Sequence, residues 1–249
     1  LLDDNIDVEL TTSQFVGMHR YQFDKSSDKQ NVVLNLGFNI NRDRPVETYI
    51  TQRSKDLITG YRFSNGWANV HKVFFAMKFS RPVENMEFFN ADQIENNNSA
   101  SGKKLASVFS FSNIMNEPLL VKVAISSASE EGALSNLATA DPYGWDFDHL
   151  HLSTQEKWNT ELSKIRVISK NDQKKRTFYT SLYHCYIAPF RFSDVDGGFK
   201  NYLHENEKAV GYSHYTVLSL WDTFRALKPL LAIMQPELYE NIVQSMITQ

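Results

Sequence analysis

The chain has 249 residues, a formal net charge of −3 and 42% hydrophobic residues, so it can bury a substantial core without metals or disulfides. No long run of lysine or arginine marks a nucleic-acid-binding protein, and a single cysteine excludes an intrachain disulfide. No apolar run approaches the ~20 residues that cross a bilayer, so neither a nucleic acid nor a membrane is an expected partner.

Residues 1–128 are predicted to form an antiparallel β-sandwich. Apolar side chains there recur with a period of two and are rich in β-branched and aromatic types, as in segments 32–36, 48–51, 73–79 and 119–125. Breakers such as Pro45, Gly66 and Pro118 follow at the short spacing that is typical of antiparallel strands. The polar stretch 95–102 is the best candidate for a hairpin loop.

The period becomes helical after Ser129, and residues 129–170 are predicted to form a helical linker. A helix is expected to begin at Glu130, and a second helical pattern covers residues 153–162. The linker would connect the sandwich to a helical domain.

Residues 171–249 are predicted to be the start of that helical domain. The helix expected at 171–187 carries apolar residues on two sides, which predicts burial nearly all round. A further helix is expected at 215–226 with Ser213 as its N-cap, and another near Pro236, a favoured first-turn residue.

The pair Trp221 and Asp222 is the strongest candidate for a binding function. An indole can stack on the C–H face of a sugar ring, and a neighbouring carboxylate can accept hydrogen bonds from two vicinal hydroxyls. The alternative is that Trp221 belongs to the core and that Asp222 forms an ion pair with Arg225 one helical turn away. The residues alone leave both interpretations open.

Asp194 and Asp196 form a second candidate, because two carboxylates on one side of an extended strand could hold a hard cation. A calcium loop that begins at Asp194 would place Phe199 at the position that requires glycine. A turn or capping role for the two aspartates is therefore the default interpretation.

Five segments stand out together: residues 60–67 (GYRFSNGW), 145–148 (WDFD), 178–184 (FYTSLYH), 194–197 (DVDG) and 219–223 (SLWDT). Their residues and their order resemble glycoside hydrolase family 92, and the resemblance covers essentially the whole chain. The family comprises calcium-dependent, inverting, exo-acting α-mannosidases. The resemblance implies a two-domain α+β fold: an antiparallel β-sandwich, a helical linker and the first helices of an (α/α)6 barrel.

The resemblance also implies roles for particular residues. Trp221 and Asp222 match the family's sugar-contacting pair in the terminal mannose subsite, where the aspartate binds hydroxyls of the nonreducing sugar. The catalytic acid, the base carboxylates and most calcium ligands are expected beyond residue 249. No catalytic residue and no metal ligand is therefore assigned within the chain.

The expected function is that of a portion of an exo-α-mannosidase that hydrolyses terminal α-mannosides, with α-1,2 linkages favoured, in N-glycans or mannan. Its expected partners are a mannose-containing glycan and the rest of the same polypeptide, and its expected location is the bacterial periplasm or the extracellular space.

The alternative is a noncatalytic carbohydrate-binding β-sandwich module, which would need an exposed aromatic platform. Trp67 is the only tryptophan in residues 1–128. Its place beside Gly66 predicts a turn packed on the core or on an interdomain interface instead.

Overall fold

The structure is a computed structural model that describes residues 5–23, 29–39, 41–112 and 117–248. The chain divides into two compact units, one up to Leu150 and the other from His151 onwards. No helix within the described ranges is long and apolar enough to cross a membrane.

The first unit is built mainly of antiparallel strands. They are β1 (Asp7–Thr12), β2 (Val16–Gln22), β3 (Lys29–Asn35), β4 (Arg44–Ser54), β5 (Leu57–Asn65), β6 (His71–Phe79), β7 (Asn85–Phe89), β8 (Gln93–Glu95), β9 (Ser99–Gly102), β10 (Ala106–Ser112) and β11 (Leu119–Ser126). In the described part of the chain they form a large sheet with the order β1-β2-β11-β6-β5-β4-β9-β8 and a small one with the order β3-β10-β7. The predicted antiparallel sandwich is confirmed, and the predicted 95–102 loop is a tight β8–β9 hairpin.

The two sheets enclose an aromatic core. Phe79 of β6 lies in the large sheet, and its ring centroid is 5.3 Å from that of Phe109 and 5.0 Å from that of Phe111, both on β10 of the small sheet. All three side chains are buried. Alternate residues of each strand point into this layer, which explains the period of two in the sequence.

Helix α1 (Glu130–Ala138) covers the other face of the large sheet. The Ser129 side chain accepts a hydrogen bond from the Gly132 amide at 3.0 Å and so caps the helix where the sequence predicts its start. The Glu130 carboxylate accepts hydrogen bonds from the Thr59 hydroxyl at 2.5 Å and from the Arg53 guanidinium at 3.0 Å. These bonds tie the first turn of α1 to the sheet.

The rest of the chain consists of helices and short strands. They are α2 (Phe147–Leu162), α3 (Asp172–Cys185), β12 (Phe190–Arg191), β13 (Gly198–Lys200), β14 (Asn206–Lys208), β15 (Tyr215–Thr216), α4 (Leu220–Thr223), α5 (Leu227–Met234) and α6 (Pro236–Ile247). The division between the two units falls within α2. Helix α6 begins at Pro236, as the sequence predicts.

The helix predicted at 215–226 is wrong. Tyr215 and Thr216 form β15, which pairs with β12, and the helix that follows begins only at Leu220. The Ser213 amide bonds to the Asn241 side chain and the Tyr215 amide to the Ser245 side chain, which holds this stretch against α6. Val217 has a φ of 62°, in the left-handed region that a right-handed helix does not contain, so the helix begins only after it.

The prediction that α3 is buried nearly all round is also wrong. Among the described residues of α3, only Leu182 is fully buried, and Tyr183 is 41% exposed. The ring of Tyr183 packs against Trp158 of α2, at 4.8 Å between centroids. Apolar residues on two sides of a helix allow other elements to pack on both sides. The pattern does not show whether elements of the described chain do so.

Candidate functional site

Trp221 and Asp222 lie side by side on α4 and both face solvent. Trp221 is 87% exposed, so it is not part of the core of the described chain. Asp222 accepts a hydrogen bond from the Ser219 hydroxyl at 2.5 Å. Arg225 lies over the ring of Phe224, 5.3 Å from its centroid, and forms no ion pair with Asp222 in the described part of the chain.

This geometry leaves the pair able to bind a polyhydroxylated ligand. An ionised carboxylate has about four acceptor positions, and Ser219 uses one of those on Asp222. Two vicinal hydroxyls could therefore donate to Asp222 while the exposed indole face of Trp221 contacts the C–H face of a sugar ring. The pair can bind and orient a ligand, and neither residue has a geometry that suggests proton transfer.

Helix α6 holds the segment that leads to this pair. The Asn241 side chain accepts a hydrogen bond from the Ser213 amide at 2.8 Å, and one turn later the Ser245 hydroxyl accepts one from the Tyr215 amide at 2.9 Å. The hydroxyls of Tyr212 and Thr248 are also within hydrogen-bond distance, at 2.9 Å. Side chains on one face of α6 thus fix the path of the chain before α4.

Asp194 and Asp196 shape a turn. The Asp194 carbonyl accepts a hydrogen bond from the Gly197 amide at 3.0 Å, and the Asp196 carboxylate accepts one from the Gly198 amide at 3.0 Å. Gly197 has a φ of 91°, and a Cβ there would lie 2.5 Å from the Ala209 carbonyl oxygen. This position therefore requires glycine, and the contacts agree with the turn role rather than with a calcium loop.

The described residues contain no ready-made cluster of acidic side chains for a calcium ion. The second carboxylate oxygen of Asp196 lies 3.6 Å from the Lys208 ammonium, which neutralises part of its charge. In the described ranges no three His, Cys, Asp or Glu side chains are placed where they could hold a metal ion. Calcium normally takes six to eight oxygen ligands.

His214 is a residue of this region that the sequence reasoning missed. It is 2% exposed and its ring stacks on Phe199, with 3.9 Å between centroids and 11° between planes. Its carbonyl accepts from the Phe192 amide, and its amide donates to the Ser193 hydroxyl, so it joins the Asp194 turn to β15. An isolated histidine in a polar segment carries no spacing signal that would have identified it.

Burial lowers the pKa of His214 from its usual 6.5, opposed by the negative charge of Glu207. Above pH 6.5 the histidine is neutral in both states, and the folded state keeps its full stability. As the pH falls below 6.5 the unfolded chain binds the proton first, and the free energy of unfolding drops by up to ~1.4 kcal/mol per pH unit until the folded-state pKa is reached.

We expect His214→Phe to reduce the difference in chemical-denaturation midpoint between pH 7.5 and pH 5.5, because phenylalanine keeps the stack and does not titrate. His151→Gln, at an exposed position of α2, serves as the control and should leave that difference unchanged. An undiminished difference in His214→Phe would show that other groups cause the acid sensitivity.

Trp67 is fully exposed, with a relative accessibility of 102%, so the predicted packing on the core is wrong, whereas the predicted turn beside Gly66 is present. The alternative, packing on an interdomain interface, stays a prediction. Trp67 lies at the tip of the β5–β6 hairpin, where the Gly66 amide bonds to the Ala68 carbonyl at 2.9 Å. That local bond closes the turn without help from the core. Beside it is an open depression of about 460 Å³ lined by Arg42, Arg44, Asn65, Gly66 and Asn69.

Two sequence profiles match this chain. The profile described as "Glycosyl hydrolase family 92 N-terminal domain" matches residues 1–126, and that described as "Glycosyl hydrolase family 92 catalytic domain" matches residues 132–249. No curated protein gives a significant match.

Several solved structures are similar to the chain. An α-mannosidase of family 92 from Bacteroides thetaiotaomicron is 32% identical with a TM-score of 0.91, and the match covers 99% of this chain and 34% of that one. Its complex with mannoimidazole matches at 32% identity, a TM-score of 0.90, and 99% and 33% coverage. An inverting mannosidase of the same family and bacterium shares the fold at 24% identity, with a TM-score of 0.83 and 98% and 33% coverage. The chain spans about a third of the length of these structures.

Proposed function

This chain belongs to glycosyl hydrolase family 92, and we propose from that membership that it is a portion of an inverting, calcium-dependent exo-α-mannosidase. The proposed substrates are terminal α-mannosides, with α-1,2 linkages favoured, of N-glycans or mannan. The observation that carries the proposal is the solvent-exposed Trp221 beside Asp222, whose carboxylate has acceptor positions that the Ser219 hydroxyl does not use. A family member 32% identical to this chain has been solved with mannoimidazole, which supports a mannose-like ligand.

In this proposal the pair acts by positioning. Asp222 accepts hydrogen bonds from two hydroxyls of the terminal mannose, and Trp221 covers the apolar face of the ring. An inverting glycosidase also needs an acid and a base carboxyl about 6.5–9.5 Å apart, on opposite sides of the scissile bond. We assign those two groups to the part of the family fold that follows the region matched by this chain.

The same proposal covers calcium, the partner surface and the location. We assign the calcium ligands mainly to residues outside this chain, since no three His, Cys, Asp or Glu side chains cluster within the described ranges. The exposed apolar side chains of Leu220, Phe224 and Ile233 are the proposed surface on which the remaining helices of the barrel pack. We propose that the whole enzyme is periplasmic or secreted, where it would meet glycans.

The test is hydrolysis of α-1,2-linked mannobiose by this 249-residue chain and by its full-length parent, each with calcium and with a chelator. The parent should release mannose only with calcium, with inversion at the anomeric carbon, and the chain alone should release none. A parent that is inactive on every α-mannobiose linkage would contradict the mannosidase assignment.

One observation favours the second candidate, a noncatalytic carbohydrate-binding module: Trp67 provides an exposed aromatic surface, and its chain neighbour Gly66 lines a depression together with Arg42 and Arg44. Retention of the chain on immobilised mannan, lost in Trp67→Ala but kept in Trp221→Ala, would place glycan binding on the sandwich. The opposite pattern would support the subsite at α4.

A further inference from the structure

Two lysines face each other on the large sheet. Lys78 of β6 and Lys122 of β11 are directly paired in the antiparallel register, next to the pair Ala76 and Ala124 that α1 covers. Residues two apart point to the same face of a strand, so both lysines lie on the side that carries α1. Like charges in directly opposed positions, with Cβ atoms roughly 4.5–5.5 Å apart, destabilise a sheet.

These two lysines form the floor of a pocket of about 260 Å³ that lies entirely within the first unit. Leu134 and Leu137 of α1 line one wall, and Trp145 lines the other. The pocket thus combines two ammonium groups with an apolar wall. It is separate from Trp221 and Asp222, which belong to the second unit.

The neighbours of Lys122 are mainly neutral. The side chain is 4% exposed, its ammonium donates to the Ala140 carbonyl at 3.1 Å, and it lies 4.9 Å from the centroid of the Trp145 ring. Burial lowers the pKa of Lys122; the carboxylate of Asp141 raises it and the charge of Lys78 lowers it further. A buried ammonium group favours an anionic partner, because a neutral carbonyl compensates only part of the lost hydration.

Asp141 also lines the pocket, but within the described chain it forms no ion pair with either lysine. Two ammonium groups and one carboxylate leave a single positive charge, which suits a monoanion. The leucine wall suits an apolar body, and Lys122 already covers one face of the indole, which disfavours the stacking of a sugar there. The lining therefore favours a monoanion with an apolar body over a sugar.

We propose that this pocket binds a small monoanionic carboxylate with an apolar body, whose carboxylate bridges Lys78 and Lys122 and whose body contacts Leu134 and Leu137. The bound anion relieves the repulsion between the two lysines. Binding should therefore stabilise the first unit against unfolding and should weaken as the ionic strength rises.

The test uses benzoate as the probe and benzyl alcohol as its neutral counterpart, with calorimetric titration and thermal unfolding of the 249-residue chain. Benzoate should bind and raise the unfolding temperature, and benzyl alcohol should bind at least tenfold more weakly. Lys78→Met should weaken benzoate binding at least tenfold. Lys72→Met is the matched control, since Lys72 is on the same strand and face but lies over the Phe63 ring, 5.1 Å from its centroid, and it should bind benzoate normally.

A second variant keeps both lysines. Ala138 is an exposed residue of the pocket lining, so Ala138→Phe should fill the mouth and abolish binding without disturbing the core. Failure of benzoate to bind the unmodified chain, equal binding of benzyl alcohol, or unchanged binding in Lys78→Met would each overturn the proposal. None of these results would bear on the mannosidase assignment, because the two sites share no residue.

Discussion

Replacing Asp222 with alanine in the full-length enzyme is expected to lower kcat/KM for α-mannosides about 100-fold or more. Hydrogen bonds to a charged group contribute about 1.5–3 kcal/mol each, so the loss of two costs about 3 kcal/mol or more. Since about 1.4 kcal/mol corresponds to a tenfold change in rate, this loss lowers kcat/KM by about 100-fold or more. The unfolding temperature should change little, because Asp222 is exposed and a surface substitution usually stays within about ±0.5 kcal/mol. Initial rates on mannobiose together with thermal unfolding measure both effects.

Asp172→Ala is the matched control for this prediction. Asp172 is also an exposed carboxylate in the first turn of a helix, and its only ion pair in the described chain is a 3.8 Å contact with Lys175. It should leave the kinetics unchanged. Normal kinetics in Asp222→Ala would refute the subsite assignment, whereas equal losses in both variants would indicate a nonspecific charge effect.

Replacing Phe79 with alanine is expected to destabilise the sandwich by about 3–5 kcal/mol, the usual cost of truncating a buried phenylalanine. The side chain is fully buried and packs against Phe109 and Phe111 of the facing sheet, so the cavity would open between the two sheets. Such a loss is a large share of the 5–15 kcal/mol that typically stabilises a domain. Guanidinium denaturation followed by circular dichroism measures it.

Phe89→Ala provides the comparison, because Phe89 lies on the small sheet but is 47% exposed. Its cost should stay below about 1 kcal/mol, since little buried surface is lost. A similar cost for both variants would mean that contacts between the sheets contribute less than the packing indicates.

The sequence predicted the strands better than the helices, and the packing explains why. Each strand of the sandwich buries alternate side chains, so the period of two at residues 73–79 and 119–125 predicts which side chains lie in the core. The change of period at Glu130 and the proline at Pro236 are local signals, and both predicted helix starts are confirmed. The predicted domain boundaries at 128 and 170 stay predictions.

The errors occurred where distant residues decide the local structure. The segment 213–215 is held by Asn241 and Ser245, which lie more than 25 positions further along the chain, so no local sequence pattern predicts it. The turn at Trp67 follows from its neighbour Gly66, but the predicted packing of the indole on the core does not, and the side chain is exposed at the hairpin tip.

The candidate pair could be chosen from its chemistry, and the structure leaves it exposed as a binding pair must be. Trp221 and Asp222 are adjacent in sequence, so their proximity needed no knowledge of the fold. Binding of mannose by the pair stays a prediction. His214 could not be chosen, because its burial and its stack on Phe199 depend on tertiary structure.

The bonds from Asn241 and Ser245 to the amides of Ser213 and Tyr215 also limit how the protein can be shortened. A truncated version that stops at Met234 would retain every residue of the candidate pair and of the Asp194 turn. It would nevertheless leave two backbone amides without their partners, and the approach to α4 would lose its fixed path. Because the Tyr212 hydroxyl also lies 2.9 Å from that of Thr248, a fragment suited to ligand soaking or fragment screening at α4 should extend through Thr248.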